Sequence, residues 1–178
     1  MFEVKKLWLW GSLVGLLVML SGCGRPVTAP AVHQIANGQK YVPTLFFHGW
    51  GSSYHAEEHM ANAAVKAGVT RTIIRAMVAS NGTVKLQGTF KRGDYRPIVE
   101  VNFAANRSSN YQKVGRWAKN VVVALQRTYG IKSFNMVGHS MGNMAIGFYL
   151  LANGQNKHLP QLRKQVDIAG HFNGILGM

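Results

Sequence analysis

The segment FNMVGHSMGNMAIGFYLL, residues 134–151, constrains the fold of this chain more than any other stretch of its sequence. An apolar run typical of a strand leads into Gly138-His139-Ser140-Met141-Gly142, and an apolar run long enough for a helix follows. Glycines on both sides of a serine permit a sharp strand-to-helix turn, in which the serine backbone is strained and its hydroxyl is exposed. The segment therefore predicts a strand, a tight turn centred on Ser140, and a helix.

Strand and helix patterns also alternate along the rest of the chain. Helices are predicted from a cap at Ser52 or Ser53 to Gly68, over 111–129 and over 142–153. Strands are predicted over 42–47, 71–79, 83–90, 97–103, 133–137 and 165–170. Asn81-Gly82 lies between two of these strands and predicts a hairpin turn. This alternation indicates one α/β domain with a mostly parallel sheet, which fits a length of 178 residues.

The N-terminus has the pattern of an export signal. Lys5 and Lys6 precede the uncharged apolar run Leu7–Leu20, which is shorter than the roughly 20 residues that a membrane-spanning helix needs. The sequence Leu20-Ser21-Gly22-Cys23 follows and resembles a bacterial lipobox, in which the cysteine is lipidated. An uncleaved anchor with an incidental cysteine is the alternative, and both hypotheses imply export and attachment to the membrane.

These features predict three segments. Residues 1–22 are expected to form a lipoprotein signal peptide, residues 23–40 a Pro- and Gly-containing tether that begins at lipidated Cys23, and residues 41–178 the folded domain. The expected location is the extracellular face of the cell membrane. Cys23 is the only cysteine, which excludes an intrachain disulfide and a cysteine-based zinc site.

The charge of the chain favours an anionic neighbour. It has 20 Lys and Arg against 6 Asp and Glu, a formal net charge of +14. No nucleic-acid-binding motif is present, and export makes nucleic acid an implausible partner. Anionic lipid headgroups or wall polymers are the expected partners.

The turn at Ser140 has the features of a nucleophile site. The N-terminus of the following helix points at the serine, where it favours a developing negative charge. The Met141 N–H is one expected donor to an oxyanion, and the Trp50 N–H, in the loop His48-Gly49-Trp50-Gly51, is the other. His48 is expected to organise that loop, and His139 to point away from the Ser140 hydroxyl.

Three segments, FFHGWGSSYHAEEHMANAA, VGHSMGNMA and AGHFNGILGM, resemble the lipid-anchored cell-surface α/β hydrolases of Gram-positive bacteria. They are more distantly similar to bacterial lipases and esterases. The resemblance covers about residues 41–178 and implies part of an α/β-hydrolase fold. It also implies hydrolysis of lipid-like or acyl-ester substrates without metal or cofactor, with Ser140 as nucleophile and the Trp50 and Met141 amides as oxyanion hole.

The remaining members of a catalytic triad are the unresolved part of this interpretation. In this fold the acid and then the histidine follow the serine along the chain. Asp167 and His171 are the only pair in that order, and Asp167 lies within a predicted strand, which disfavours contact with His171. We therefore expect a C-terminally truncated hydrolase with an impaired triad. A local Asp167–His171 pair and a non-catalytic lipid-anchored remnant are the alternatives.

The segment HAEEH, residues 55–59, offers a competing chemistry. It matches the inverted zinc-protease pattern, in which His55 and His59 share a helix face and Glu58 acts as base. A third ligand is needed, and Glu100, the only Glu that follows, lies in a predicted strand. The favoured interpretation is the first turn of a helix, with surface histidines and glutamates that match the helix dipole.

Overall fold

A computed structural model of the protein describes residues 41–172. The predicted signal peptide over 1–22, Cys23 and the predicted tether over 23–40 lie outside the described residues. Within residues 41–172, no helix has the length and apolar character that a membrane crossing requires.

Strands and helices alternate along the described part. They are β1 (Thr44–Phe47), a 3-10 turn (Tyr54–Ala56), α1 (Glu58–Lys66), β2 (Ile73–Val78), β3 (Val84–Gln87), β4 (Ile98–Phe103), α2 (Tyr111–Tyr129), β5 (Ser133–His139), α3 (Gly142–Asn153) and β6 (Gln161–Ile168). The bounds predicted for α2 and α3 are confirmed. The prediction for β6 is wrong at both ends, because the strand begins at Gln161 and ends at Ile168.

The six strands form one mixed sheet in the order β3-β2-β4-β1-β5-β6. The β2–β3 hairpin, predicted from Asn81-Gly82, is the antiparallel pair, and every other neighbouring pair is parallel. The predicted α/β class with a mostly parallel sheet is confirmed. β1 lies in the middle, where Thr44 is in register with Ile98 of β4 and with Asn135 of β5.

The two faces of the sheet are covered unequally. α2 and α3 pack on one face over the larger core, which includes Leu45, Phe47 and Met136. The apolar stripe predicted for α2 is confirmed, because Val114, Trp117, Ala118, Val121, Val122 and Leu125 are all buried. A smaller cluster of Phe46, Ala61 and Ile98 lies on the other face, under α1.

The parallel strands place the candidate site. The carboxyl ends of β1, β4, β5 and β6 meet at one edge of the sheet, and ligands of open α/β sheets bind beyond that edge. Ser140 directly follows β5, and the His48-Gly49-Trp50-Gly51 loop directly follows β1. Because β1 and β5 are neighbours in the sheet, these two segments lie side by side.

Candidate active site

Ser140 occupies a strained turn between β5 and α3. Its φ angle is 53°, and Ala169 is the other non-glycine residue with positive φ within residues 41–172. Non-glycine residues seldom adopt this conformation, and strain of this kind concentrates at functional sites. The Ser140 N–H donates to the Ile168 carbonyl oxygen of β6 at 2.9 Å, which holds the turn in place. The predicted strand-turn-helix at Ser140 is confirmed.

The glycines that flank the turn are required by close packing. A Cβ atom on Gly142 would collide with the backbone carbonyl oxygen of Phe47, at the end of β1. A Cβ atom on Gly138 would collide with the Asn143 side-chain oxygen and lie 2.9 Å from the Asn143 backbone nitrogen. Both positions therefore accept only a residue without a side chain, as the sequence pattern suggested.

The loop after β1 packs directly on the turn. A Cβ atom built on Gly49 would lie 3.2 Å from Ser140 Cβ and 3.6 Å from Ser140 Oγ, so the Gly49 backbone passes close to the serine. The Gly51 N–H donates to the Asn106 carbonyl oxygen at 2.9 Å, which ties the loop to the segment after β4. The loop is thus fixed beside the serine from two sides.

His48 anchors the start of this loop. Its Nε2 atom accepts a hydrogen bond from the Phe103 backbone N–H at 3.1 Å, so Nδ1 carries the proton and donates to the Gly49 carbonyl oxygen at 2.8 Å. Burial lowers the pKa of His48, and the bond to Gly49 offsets part of that effect. The neutral imidazole is therefore engaged at both nitrogens by backbone groups, and it organises the loop as predicted.

Two backbone N–H groups beside the serine have no acceptor in the part of the chain that the structure describes. They belong to Trp50, in the loop after β1, and to Met141, directly before α3. A cavity of about 20 Å³ lies between the loops after β1 and β4, and Gly49, Asn106 and Met141 are among the residues that line it. That volume accommodates a group of the size of one water molecule or one oxygen atom.

Asn143 is a structural residue of the site that the sequence did not predict. Its side chain is fully buried, and its Nδ2 atom donates at 3.0 Å to the carbonyl oxygens of Ser140 and Ile168. One amide thus connects the turn, α3 and the end of β6. The sequence feature that could have indicated this role is the position of Asn143 as the polar residue at the start of an otherwise apolar helix.

Glu57 is a second residue whose role the sequence did not predict. It was predicted to lie in the first turn of a helix and to match the helix dipole. The helix begins one residue later, and the Glu57 side chain is only 2 % exposed. Its Oε1 atom lies 3.2 Å from His139 Nδ1, which joins the segment before α1 to the end of β5. His139 is engaged in this contact, as expected for a side chain directed away from the Ser140 hydroxyl.

The sequence profile of the family described as "Alpha/beta hydrolase of unknown function (DUF915)" matches residues 32–178. The chain belongs to this family. The fold is accordingly the α/β-hydrolase fold, with the serine turn and the flanking loop in the positions described above. The match begins at residue 32, within the segment predicted to be a tether. No curated protein matches the sequence at a significant level.

Two solved structures are similar to this chain. The product of the lin2722 gene of Listeria innocua is 27 % identical, with a TM-score of 0.71 over 76 % of this chain and 53 % of its own length. A protein of Lactobacillus plantarum WCFS1, described as a "putative cell surface hydrolase", is 22 % identical, with a TM-score of 0.66 over 74 % of this chain and 54 % of its own. The chain spans about half the length of each neighbour.

The Asp167–His171 pair does not form within the described residues. The Asp167 carboxylate accepts two hydrogen bonds from the Gln165 side chain, at 2.8 and 2.9 Å. His171 Nδ1 lies 3.2 Å from the Ala169 carbonyl oxygen, and its buried Nε2 atom has no partner in residues 41–172. No hydrogen bond joins either residue to Ser140 in this part of the family fold.

The HAEEH segment is arranged as a set of side-chain pairs. His55 Nδ1 lies 2.7 Å from Glu58 Oε2, and Glu58 Oε1 accepts from the Arg75 guanidinium at 2.9 Å. Arg75 also contacts Glu100 at 3.3 Å. Across residues 41–172, no three His, Cys, Asp or Glu side chains are grouped so that they could hold a metal ion.

The Glu57–His139 contact gives a prediction on stability. Burial raises the pKa of Glu57, and His139 lowers it by less, so ionisation of this carboxyl destabilises the fold. Because the pKa of Glu57 is raised in the folded protein, the destabilisation by its ionised form is absent below the ordinary pKa of Glu. It is complete above the raised pKa of the folded protein. Glu57→Gln should therefore gain unfolding free energy relative to wild type as pH rises through that window. Urea denaturation between pH 4 and pH 8 measures the difference.

Glu58→Gln is the matched control for this measurement. The hydrogen bond from His55, and then Arg75, lower the pKa of Glu58 despite the opposing effect of desolvation. The Glu58→Gln variant should therefore lose stability relative to wild type as pH rises towards the ordinary pKa of Glu, and the difference should stay constant above it. The sign is opposite to that of Glu57→Gln and the window is more acidic, so the series for this control starts below pH 4. Two variants with the same pH trend would contradict the burial-based account of Glu57.

Proposed function

We propose that this protein is a serine hydrolase of ester bonds, with Ser140 as the nucleophile. One observation carries the proposal: a non-glycine residue at φ 53°, placed between a strand and a helix, with the glycine loop after β1 packed against it. A strained strand-to-helix serine is the arrangement that exposes a hydroxyl to substrate in α/β hydrolases. Membership of the family supports the same chemistry.

The proposed oxyanion hole consists of the Trp50 and Met141 N–H groups. Attack of Ser140 Oγ on an ester carbonyl carbon forms a tetrahedral intermediate whose oxygen carries negative charge. Both N–H groups lack an acceptor within residues 41–172, and Met141 lies at the N-terminal end of α3, so the two donors are suited to stabilise that charge. His48 supports this arrangement by holding the loop to β4 while it remains neutral.

The base and the acid are proposed to lie outside residues 41–172. Within that range no histidine forms a hydrogen bond with Ser140, and Asp167 bonds to Gln165 instead. We therefore propose that residues 1–178 on their own hydrolyse esters slowly. A non-catalytic hydrolase remnant at the cell surface is the second candidate function, and the same observation favours it.

The proposed substrate class is a lipid or another acyl ester, hydrolysed at the outer face of the cell membrane without metal or cofactor. A lipid on Cys23 would hold the protein there, with an anionic lipid or wall polymer beside its basic surface. The resemblance of the sequence to lipid-anchored hydrolases supports this location, and the description of the Lactobacillus plantarum neighbour agrees with it.

A fluorophosphonate probe tests the role of Ser140. The full chain should be labelled slowly at a single position, because the proposed oxyanion donors can act while no described base does. Ser140→Ala should not be labelled, and Ser80→Ala, which removes an exposed serine of the hairpin turn, should be labelled as wild type is. Equal labelling of wild type and Ser140→Ala would refute the proposed nucleophile.

Lipidation of Cys23 has its own test. In a bacterium that processes lipoproteins, most of the wild-type protein is expected in the membrane fraction, because two acyl chains anchor a protein firmly. Cys23→Ala should escape processing and modification, with a shift in mass that mass spectrometry detects. Ser21→Ala changes the neighbouring sequence and preserves the thiol, so it serves as the control. Identical processing of wild type and Cys23→Ala would exclude lipidation.

A further inference from the structure

The two ends of the sheet differ sharply in charge. At the end where the parallel strands begin, the connecting loops carry Arg71, Lys91, Arg92, Arg96, Lys132 and Lys157. At the opposite end, where Ser140 lies, the described loops carry Arg107 as their one Lys or Arg. We call the first of these the cationic end. Lys66 and Arg127, in the last turns of α1 and α2, add to it.

Little negative charge offsets the cationic end. Asp94 is the acidic residue in those loops, and it is 5 % exposed. Its carboxylate is turned inward, where it accepts hydrogen bonds from the Thr70 hydroxyl at 3.0 Å and the Arg71 N–H at 2.7 Å. By contrast, Arg71, Lys91, Arg92, Lys132 and Lys157 are exposed, so this surface presents cations to its surroundings.

Exposed apolar side chains lie at the same end. Val69, in the loop before β2, is 49 % exposed, and Tyr95, between Arg92 and Arg96, is 47 % exposed. Val65 and Leu151, near the C-terminal ends of α1 and α3, are 39 % and 84 % exposed. Tyrosine and aliphatic side chains among cations are the composition of surfaces that rest at a lipid headgroup layer.

The chain enters the fold at this end as well. The Val42 N–H donates to Tyr95 and the Thr44 N–H to Pro97, so the start of β1 is held beside the loop that carries Lys91, Arg92 and Arg96. Residues 1–40 therefore connect to the fold at the cationic end. Ser140 follows the far end of β5, across the length of the sheet.

We propose that the cationic end is a docking surface for the headgroups of an anionic phospholipid bilayer, with Ser140 directed away from the membrane. The proposal rests on the proposed cell-surface function and adds an orientation to it. That orientation narrows the proposed substrates to acyl esters outside the bilayer, because a bilayer lipid would not reach Ser140. Phosphodiester groups match the exposed Lys and Arg, and the apolar side chains match the glycerol layer beneath them. A soluble wall polyanion would match the charges but gives no role to Val69, Tyr95 and Leu151.

Binding to vesicles tests the docking surface. The full chain should bind phosphatidylglycerol-containing vesicles at low salt, and less well in phosphatidylcholine or at high salt, where charges are screened. The triple variant Lys91→Gln, Arg92→Gln, Lys132→Gln should bind on the order of a hundredfold more weakly at low salt. The control triple variant Lys85→Gln, Arg116→Gln, Lys119→Gln changes the net charge equally and should bind nearly as wild type does.

All three proteins retain residues 1–40, so any contribution of the N-terminal apolar run is the same in each. Equal losses in the two triple variants would overturn the assigned surface. The first triple variant, at Lys91, Arg92 and Lys132, is also tested with a soluble poly(glycerol phosphate). If it loses binding to this polymer but binds vesicles as wild type does, the cationic end is assigned to a wall polymer and the membrane proposal is overturned. Neither result depends on lipidation of Cys23 or on a reactive Ser140, so the proposed function can fail separately.

A fluorescent label tests the orientation. Cys23→Ser removes the single native thiol, and Lys132→Cys or Ala104→Cys then places an environment-sensitive dye at the cationic end or at the Ser140 end. On vesicles, the dye at position 132 should be quenched by brominated lipids, and the dye at position 104 should stay unquenched. Equal quenching, or stronger quenching at position 104, would overturn the orientation.

Discussion

Gly142→Ala is expected to lose about 3 kcal/mol or more of folding free energy. A Cβ atom at this position would occupy the space of the Phe47 backbone carbonyl oxygen and lie 3.0 Å from the Phe47 side chain. A backbone atom cannot change rotamer, so the start of α3 and the end of β1 would have to separate. Those two segments carry Met141 and the loop of Trp50, so the same displacement should widen the proposed oxyanion hole.

Gly147→Ala provides the matched control, because it lies in the same helix and its added Cβ atom has no neighbour within 4 Å. Alanine is the better helix former, so this variant should be neutral or up to about 1 kcal/mol more stable. Urea denaturation of the two variants and wild type measures the contrast. Equal stability of Gly142→Ala and Gly147→Ala would mean that the close contact between β1 and α3 is not a constraint.

Turnover is expected to show the other large effect. The full chain should hydrolyse p-nitrophenyl esters on the order of 10⁶-fold more slowly than a serine hydrolase with a complete triad. The reason is that no described histidine accepts the Ser140 proton. Binding and the oxyanion donors alone leave roughly 10³–10⁴-fold acceleration over water in well-studied triads, so Ser140→Ala should change the slow rate little.

Side-by-side assays of wild type, Ser140→Ala and His171→Ala test whether a described residue acts as the base for Ser140. A robust wild-type rate that both substitutions abolish would establish a local triad and contradict the proposal. A robust rate abolished by Ser140→Ala alone would identify a different base. A fusion that adds a candidate acid and histidine from the part of a longer relative that this chain does not match should raise the rate by orders of magnitude, and the same fusion with Ser140→Ala is its control.

Regular elements of this fold can be predicted from the sequence because their signals are local. The stripe of α2 repeats at helical spacing, and Gly130 ends it in the left-handed conformation at φ 63°. The signal for the turn at Ser140 is equally local, since the close packing there requires glycine at positions 138 and 142 and the sequence has glycine at both. The start of β6 was missed because Arg163 and Lys164 are exposed at the edge of the described sheet, where the alternation of buried residues fades.

The contacts that support the site depend on distant partners, and this explains why the sequence did not predict them. The sequence around Glu57 indicates only a glutamate in the first turn of a helix. Its partner, His139, lies 82 residues later and is brought beside it because β1 and β5 are neighbours in the sheet. The sequence around Asn143 indicates only a helix residue, because its hydrogen-bond acceptor, the Ile168 carbonyl oxygen, belongs to the distant strand β6. The order of the parallel strands has no local signature, whereas the β2–β3 hairpin has one in Asn81-Gly82.

The central place of β1 also determines when the molecule can fold. β1 is made first, yet its two neighbours, β4 and β5, follow more than fifty residues later along the chain. Such long-range pairings make folding slow, because the entropy of closing large loops is lost before the strands form stabilising contacts. Leu45, Phe46 and Phe47 therefore lack one or both neighbouring strands until His139 has been synthesised. A newly made chain is expected to need protection from aggregation throughout that interval.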